Sequence, residues 1–286
     1  MRTLISVLLA LLLVACRGEM GPDPDGDVGA DADAGADGDV EAGADADVDV
    51  DVDADADTVA DADPDGACEL EPPSGQSSQG SGGGAAAGEL RTTRSGGVTY
   101  RIIAPGGAGP FPLMVVYSGT EGGETMTQNL LSVAGPVGLS GFVFAVLDGV
   151  EHNGDGEAGA RVLDEVRADY DIDNDATVLL SESAGTTAGL ELGLRLRQSF
   201  FAAYWANDVN SSATPALDAE ALCFAPYGNA GPGGDWPDAN ALVEGMRTAG
   251  YRVPPPAPYD GPGCDTHGSP DQFMAALGWF VGKTRD

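Results

Sequence analysis

Residues 89–286 predict an α/β fold with a mostly parallel central sheet and helices on both faces. Three observations carry this. Apolar runs of strand length recur along the segment, helical patterns separate them, and about 200 residues suffice for one large domain. The strand runs are Tyr100–Ala104, Leu113–Tyr117, Phe142–Leu147, Thr177–Leu180, Phe201–Trp205 and Leu222–Phe224. Helical patterns fall at 159–170, 184–199, 239–249 and 270–281. The second has a broad apolar face made by Leu190, Leu192, Leu194 and Leu196. In such a sheet ligands sit at the carboxyl ends of the strands, so candidate chemistry is sought there.

The preceding residues have a different composition. The 286-residue chain has a formal net charge of −33. Residues 17–66 hold 19 acids against one base, Arg17, and almost no large apolar side chain. Such a segment buries too little surface to offset its backbone entropy and is expected to be a disordered, self-repelling tether. The Gly/Ser/Ala-rich stretch Ser74 to Gly88 is expected to extend it. Residues 1–16 read as an export signal: a charged start at Arg2, an apolar run from Leu4 to Val14, then Leu13-Val14-Ala15-Cys16. That tetrapeptide resembles a bacterial lipobox, which implies a lipidated Cys16, a membrane anchor and a place in the cell envelope, at the outer membrane or cell surface. The expected organisation is therefore a lipoprotein signal over 1–16, a tether over 17–88 and a folded domain over 89–286.

The charge excludes electrostatic binding of nucleic acid, and no apolar run reaches the length of a spanning helix. Asp61-x-Asp63-x-Asp65-Gly66 matches the head of a calcium loop, but its twelfth position is Pro72. Loose divalent-cation association with the acidic tether is the expectation there. No Cys/His set has zinc spacing and no Gly-rich loop meets the nucleotide-binding rule, so no metal or cofactor is expected.

The strongest constellation is Ser181-Glu182-Ser183-Ala184-Gly185, set between the strand Thr177–Leu180 and the helix 184–199. A strand–Ser–helix turn this tight strains the serine backbone and needs small residues two positions before and after it. Gly185 satisfies this, and Ser181 is the next-best size. Ser183 is the candidate nucleophile. The backbone N–H of Ala184, with one from Gly119 or Thr120, would stabilise an oxyanion. A serine needs a base. His267, in Cys264-Asp265-Thr266-His267-Gly268, follows the nucleophile in the order Ser…Asp…His. His152 precedes it and reads as a surface-loop histidine.

With these residues in view, the segment 90–283 resembles the secreted polyhydroxybutyrate-depolymerase and feruloyl-esterase branch of the α/β-hydrolases. The likeness rests on Tyr170-Asp171-Ile172-Asp173 leading into the serine turn, and on Pro112 to Gly119, Gly141 to Gly149 and Phe201 to Trp205. It departs at Ser118, where that family has histidine, and at Ser181, where the turn has glycine. The resemblance implies a serine esterase of small or polysaccharide-borne esters, with its orienting acid in the loop after Leu222–Phe224. Asp235 is the preferred acid. Asp238 reads equally as a helix cap, and Asp208 is a third position. Glu121 and Glu124 continue the oxyanion loop and are expected to face water.

Export implies an oxidising compartment. A Cys223–Cys264 bridge would clamp the loops carrying acid and base, while Cys68 is an equally countable partner. Two further readings stand beside the esterase: a catalytically silent hydrolase fold that binds at the cell surface, and an anchored polyanion that is itself the function.

Overall fold

The computed structural model describes residues 70–285. Cys16, the signal, the acidic repeat and the Asp61–Gly66 motif lie outside the described residues. The described chain forms one seven-stranded sheet in the order β1-β2-β4-β3-β5-β6-β7. The strands are β1 Glu89–Thr92, β2 Thr99–Ile103, β3 Phe111–Tyr117, β4 Val143–Leu147, β5 Ile172–Glu182, β6 Ala203–Asn207 and β7 Tyr227–Ala230. The β1–β2 and β2–β4 pairings are antiparallel, and all others are parallel. This is the expected α/β architecture, a mostly parallel central sheet with helices on both faces.

Alternation along each strand divides the core into two layers. Leu113, Val115 and Tyr117 of β3 pack on one face with α2 (Gly156–Asp169), α3 (Thr186–Glu191) and α5 (Trp236–Thr248). Met114 and Val116 point the other way, onto α1 (Gly122–Val137) and α6 (Pro270–Trp279). Every residue of β4 and β6 is buried, as a sheet covered on both faces requires.

The chain runs from β3 outward to β4 through α1, then crosses back over β3 to β5 through α2. Both crossovers keep their right-handed sense only if the two helices lie on opposite faces. The reversal opens a crevice at the carboxyl ends of β3 and β5, where Gly119 and Ser183 stand.

Three expectations are corrected. First, Leu222–Phe224 is not a strand. Asp218 caps a one-turn helix, α4 (Ala219–Leu222), by accepting from Ala221 N–H at 2.8 Å, and Cys223 ends it with a left-handed backbone, φ 58°. The strand is Tyr227–Ala230, which contains no β-branched residue. It is held by pairing to β6 and by Gly228, whose missing Cβ lets Met246 and Tyr251 onto the sheet.

Second, Cys223 and Cys264 do not pair. Cys264 is a free, buried thiol, and Cys223 is disulfide-bonded to another cysteine. Cys223 precedes β7, at its amino end. Cys264 accepts from Gly234 N–H beyond the carboxyl end of the same strand. Four strand residues span about 13 Å, and a disulfide needs Cα atoms about 4.4–6.8 Å apart.

Third, Ser74–Gly88 is no tether. Ser78 exchanges backbone and hydroxyl hydrogen bonds with Tyr170 and Ile172, and Gly75 N–H donates to Asp175 Oδ2 at 2.7 Å. The small residues are there for close approach. A Cβ on Gly80 would lie 2.7 Å from Tyr170 N.

The helix α1 was not anticipated, because Gly122, Gly123 and Pro136 obscure it. Its buried Met126, Leu130, Val133 and Ala134 do follow helical spacing.

Candidate active site

The long central strand β5 delivers Ser183 to the crevice. Ser183 has φ 46°, a backbone state that side chains other than glycine rarely hold. Strain is relieved by small neighbours. A Cβ on Gly185 would sit 2.6 Å from Ser118 O and 2.7 Å from Tyr117 Cβ. Ser181, which replaces the usual glycine, finds its room in α3 instead. Gly189 faces it so closely that a Cβ there would lie 2.6 Å from Ser181 Oγ. The Ser181 hydroxyl is paired with Tyr204 Oη at 2.8 Å. Thr186 then fastens the turn by donating to Ser183 O at 2.7 Å.

The structure brings Ser183 and His267 together. Ser183 Oγ lies 2.8 Å from His267 Nε2. Ser183 is 8 % exposed, while His267 stands exposed over it, so the site is open to solvent. His152 is elsewhere. Rather than lying on a surface loop it is buried after β4, with Nε2 3.4 Å from Thr99 O.

Asp235 is exposed and its carboxylate caps α5, accepting from Asp238 N–H at 3.3 Å. Asp238 stands in the first turn of the same helix. The carboxylate in the electrostatic field of His267 is that of Asp208, the residue after β6. Asp208 is 1 % exposed and has φ 47°. Its Oδ2 accepts from Gly268 N–H at 2.5 Å and its Oδ1 from Gln272 Nε2 at 2.6 Å. Burial pushes its pKa up, opposed by the Gly268 N–H, the His267 charge and Gln272. The Gly/Pro-rich loop after β7 makes this possible. A Cβ on Gly233 would lie 2.9 Å from Asp208 Cα, and one on Gly231 2.8 Å from Gln272 Cδ.

On the oxyanion side, Ala184 is the second residue of the helical turn Ser183–Gly185, whose first N–H groups have no intrahelical acceptor. Gly119 lies directly across, with its Cβ position 3.2 Å from Ser183 Cβ. Thr120 follows it and is exposed. Ser118 is buried and structural: its Oγ accepts from Gly149 N–H at 3.1 Å and ties two loops together. Glu124 faces water and pairs with Arg101 at 2.7 Å. Glu121 is exposed as well, and its Oε1 also accepts the Gly119 N–H at 2.9 Å, a contact the sequence did not indicate. Sequence reasoning also passed over Glu182. It lies one residue before Ser183, and burial drives its carboxyl well above the usual range, with the charges of Glu121 and Asp208 adding to the effect.

No protein-family model and no curated protein sequence matches the chain. Among solved structures, the chain is similar to EstE1, a thermophilic carboxylesterase from a metagenomic library. The identity is 16 % over 68 % of this chain and 88 % of that one, with a TM-score of 0.48. It is also similar to a feruloyl esterase module from Clostridium thermocellum complexed with sinapinate, at 13 % identity over 70 % and 89 % of the two chains, TM-score 0.48. A third is LpqC, a poly(3-hydroxybutyrate) depolymerase from Bordetella parapertussis, at 17 % identity over 66 % and 85 %, TM-score 0.44.

Proposed function

We propose that this chain is a serine carboxylic-ester hydrolase, anchored in the bacterial cell envelope through a lipidated Cys16. The observation that carries the enzymatic reading is the strained Ser183, whose hydroxyl lies 2.8 Å from His267 Nε2. In this reading His267 takes the Ser183 proton as Oγ attacks the ester carbonyl. The carbonyl oxygen becomes an oxyanion, held by the Ala184 and Gly119 N–H groups. His267 returns the proton to the departing alcohol, and water then releases the acyl group by the same route. Asp208, not Asp235, is the acid that stabilises the imidazolium in this reading, because it is buried and its Oδ2 accepts the N–H of Gly268, the residue after His267, at 2.5 Å. Its position beside Gly268 N–H also orients the His267 loop. The exposure of His267 suits small esters or esters carried on a polysaccharide.

The test is hydrolysis of 4-nitrophenyl acetate by the full chain. Ser183→Ala and His267→Ala are expected to abolish turnover above background. Asp208→Asn should lower kcat by roughly 10⁴-fold, the scale of losing a triad acid. Asp235→Asn should leave kcat near wild type and cost at most about 1 kcal/mol of stability as a weakened helix cap. Turnover that persists in Ser183→Ala would refute the reading. A silent hydrolase fold that binds rather than cleaves is the second reading, favoured by the carboxylate already seated on Gly119 N–H. Fluorophosphonate labelling of Ser183 separates the two.

A further inference from the structure

We propose that Glu121 is a resting-state occupant of the oxyanion hole, a gate that each substrate must displace before Ser183 can react. The inference rests on the esterase reading and adds a control element to it. Gly119 stands opposite Ser183, its Cβ position 3.2 Å from Ser183 Cβ, and in the esterase reading its N–H, or that of Thr120, is the second donor to the oxyanion beside Ala184. In this structure that donor is taken by a carboxylate, Glu121 Oε1, at 2.9 Å. The other carboxylate oxygen of Glu121 crowds the same glycine, lying 2.5 Å from its Cβ position. The carboxylate thus holds one of the candidate donors, beside Ser183.

The contact is built to release. Glu121 is the residue before α1 and makes no capping hydrogen bond to that helix, so its side chain is free of a structural duty there. The residue is exposed to solvent. Burial works against its ionised form, opposed by the backbone N–H groups of Glu121 and Gly119, with the charges of Asp148 and Asp208 adding to the effect of burial. A substrate carbonyl gains the Gly119 N–H only as charge develops on its oxygen, when the donor is worth most. The gate therefore lowers the reactivity of Ser183 in the absence of a well-bound ester and leaves the fold unaffected.

The experiment compares wild type, Glu121→Gln and Glu121→Ala as full chains with matching circular dichroism. Two readouts are used: the rate at which a neutral fluorophosphonate labels Ser183, and the proton shift of the Gly119 amide. Removing one charge-assisted hydrogen bond from the hole should speed labelling by about tenfold in Glu121→Ala. Glu121→Gln, which keeps a neutral acceptor, should fall between. The Gly119 amide proton should move upfield in Glu121→Ala. Labelling of Glu121→Ala at or below the wild-type rate would overturn the gate while leaving the esterase reading in place, and so would an unmoved Gly119 amide. If Ser183 labels in none of the three proteins, the esterase reading falls and the gate with it.

Discussion

Glu182 shows how one residue can set a site's response to pH. Its Oε2 is buried without a hydrogen-bond partner among the described residues, and burial holds its carboxyl well above the ordinary glutamate range. Its native pKa therefore exceeds its unfolded one. Between the two values the native state binds the extra proton, so this group's contribution to stability falls as pH rises from the ordinary glutamate pKa through the native one. Glu182→Gln removes that loss. Urea denaturation from pH 4 to pH 8 should show the variant gaining on wild type as pH rises. A constant difference across that range would mean that Glu182 ionises in the fold as freely as in water. Beside it, the Ser183 hydroxyl and the His267 imidazole meet at hydrogen-bond distance although 84 positions separate them. Chain order and the small-residue turn had already marked both.

At the scale of elements, the serine turn depends on how closely α3 approaches β5. A glycine at position 181 is dispensable here because Gly189 supplies the missing volume from the helix side. Gly189→Ala would press a methyl group into Ser181, with Tyr204 Oη only 3.2 Å from the same point. The expected cost is about 1–3 kcal/mol, as for other overpacked cores, with a fall in kcat as the turn shifts. Adding Ser181→Gly should restore part of both, and the two changes should couple by at least about 0.5 kcal/mol in denaturant unfolding. Strict additivity would show that the residues do not share the space. The helix itself is less regular than its sequence suggests. A single helix is expected over 184–199, but the α-helical part Thr186–Glu191 passes into a π-helical turn, Leu192–Leu196. Leucines two residues apart at 190, 192 and 194 are all buried, and Gly193 approaches Leu179 closely.

At the scale of the molecule, the two ends of the described chain fasten one another. Arg285 is buried, stacks 4.5 Å over Phe224, and donates to the carbonyls of Pro72 and Ser199. Burial pushes its pKa down to about 10, so it stays charged at neutral pH. This arginine holds the 70–88 strap at the same end of the sheet as the amino end of β7. Arg285→Ala should lower stability by roughly 3 kcal/mol, since it strands two carbonyls and a stacked ring. It should also expose the strap to limited proteolysis. Unchanged stability and protease resistance would show that the strap is held by Ser78 and its partners alone.

Local physics made much of this protein legible from its residues alone. Apolar runs mark β3 to β6 because a strand covered on both faces must be largely apolar within its own few residues, and β2 shows through the alternately buried Tyr100 and Ile102. Ser183 declares itself because a tight strand-to-helix turn constrains its immediate neighbours. His267 follows from chain order. What remained hidden depends on groups distant in sequence. Asp208 follows an apolar strand and Asp235 precedes a helix, and only the wrapping of the Gly231–Gly234 loop buries the first beside His267 and leaves the second capping α5. The β7 strand exists through its pairing with β6, not through its own propensity. The Gly/Ser stretch looks flexible because glycine suits both a free linker and a backbone packed tightly against another. Only the partners at Tyr170 and Ile172 choose between them. Glu121 is the surface acid its sequence suggests, and only the fold shows that it also accepts the Gly119 N–H.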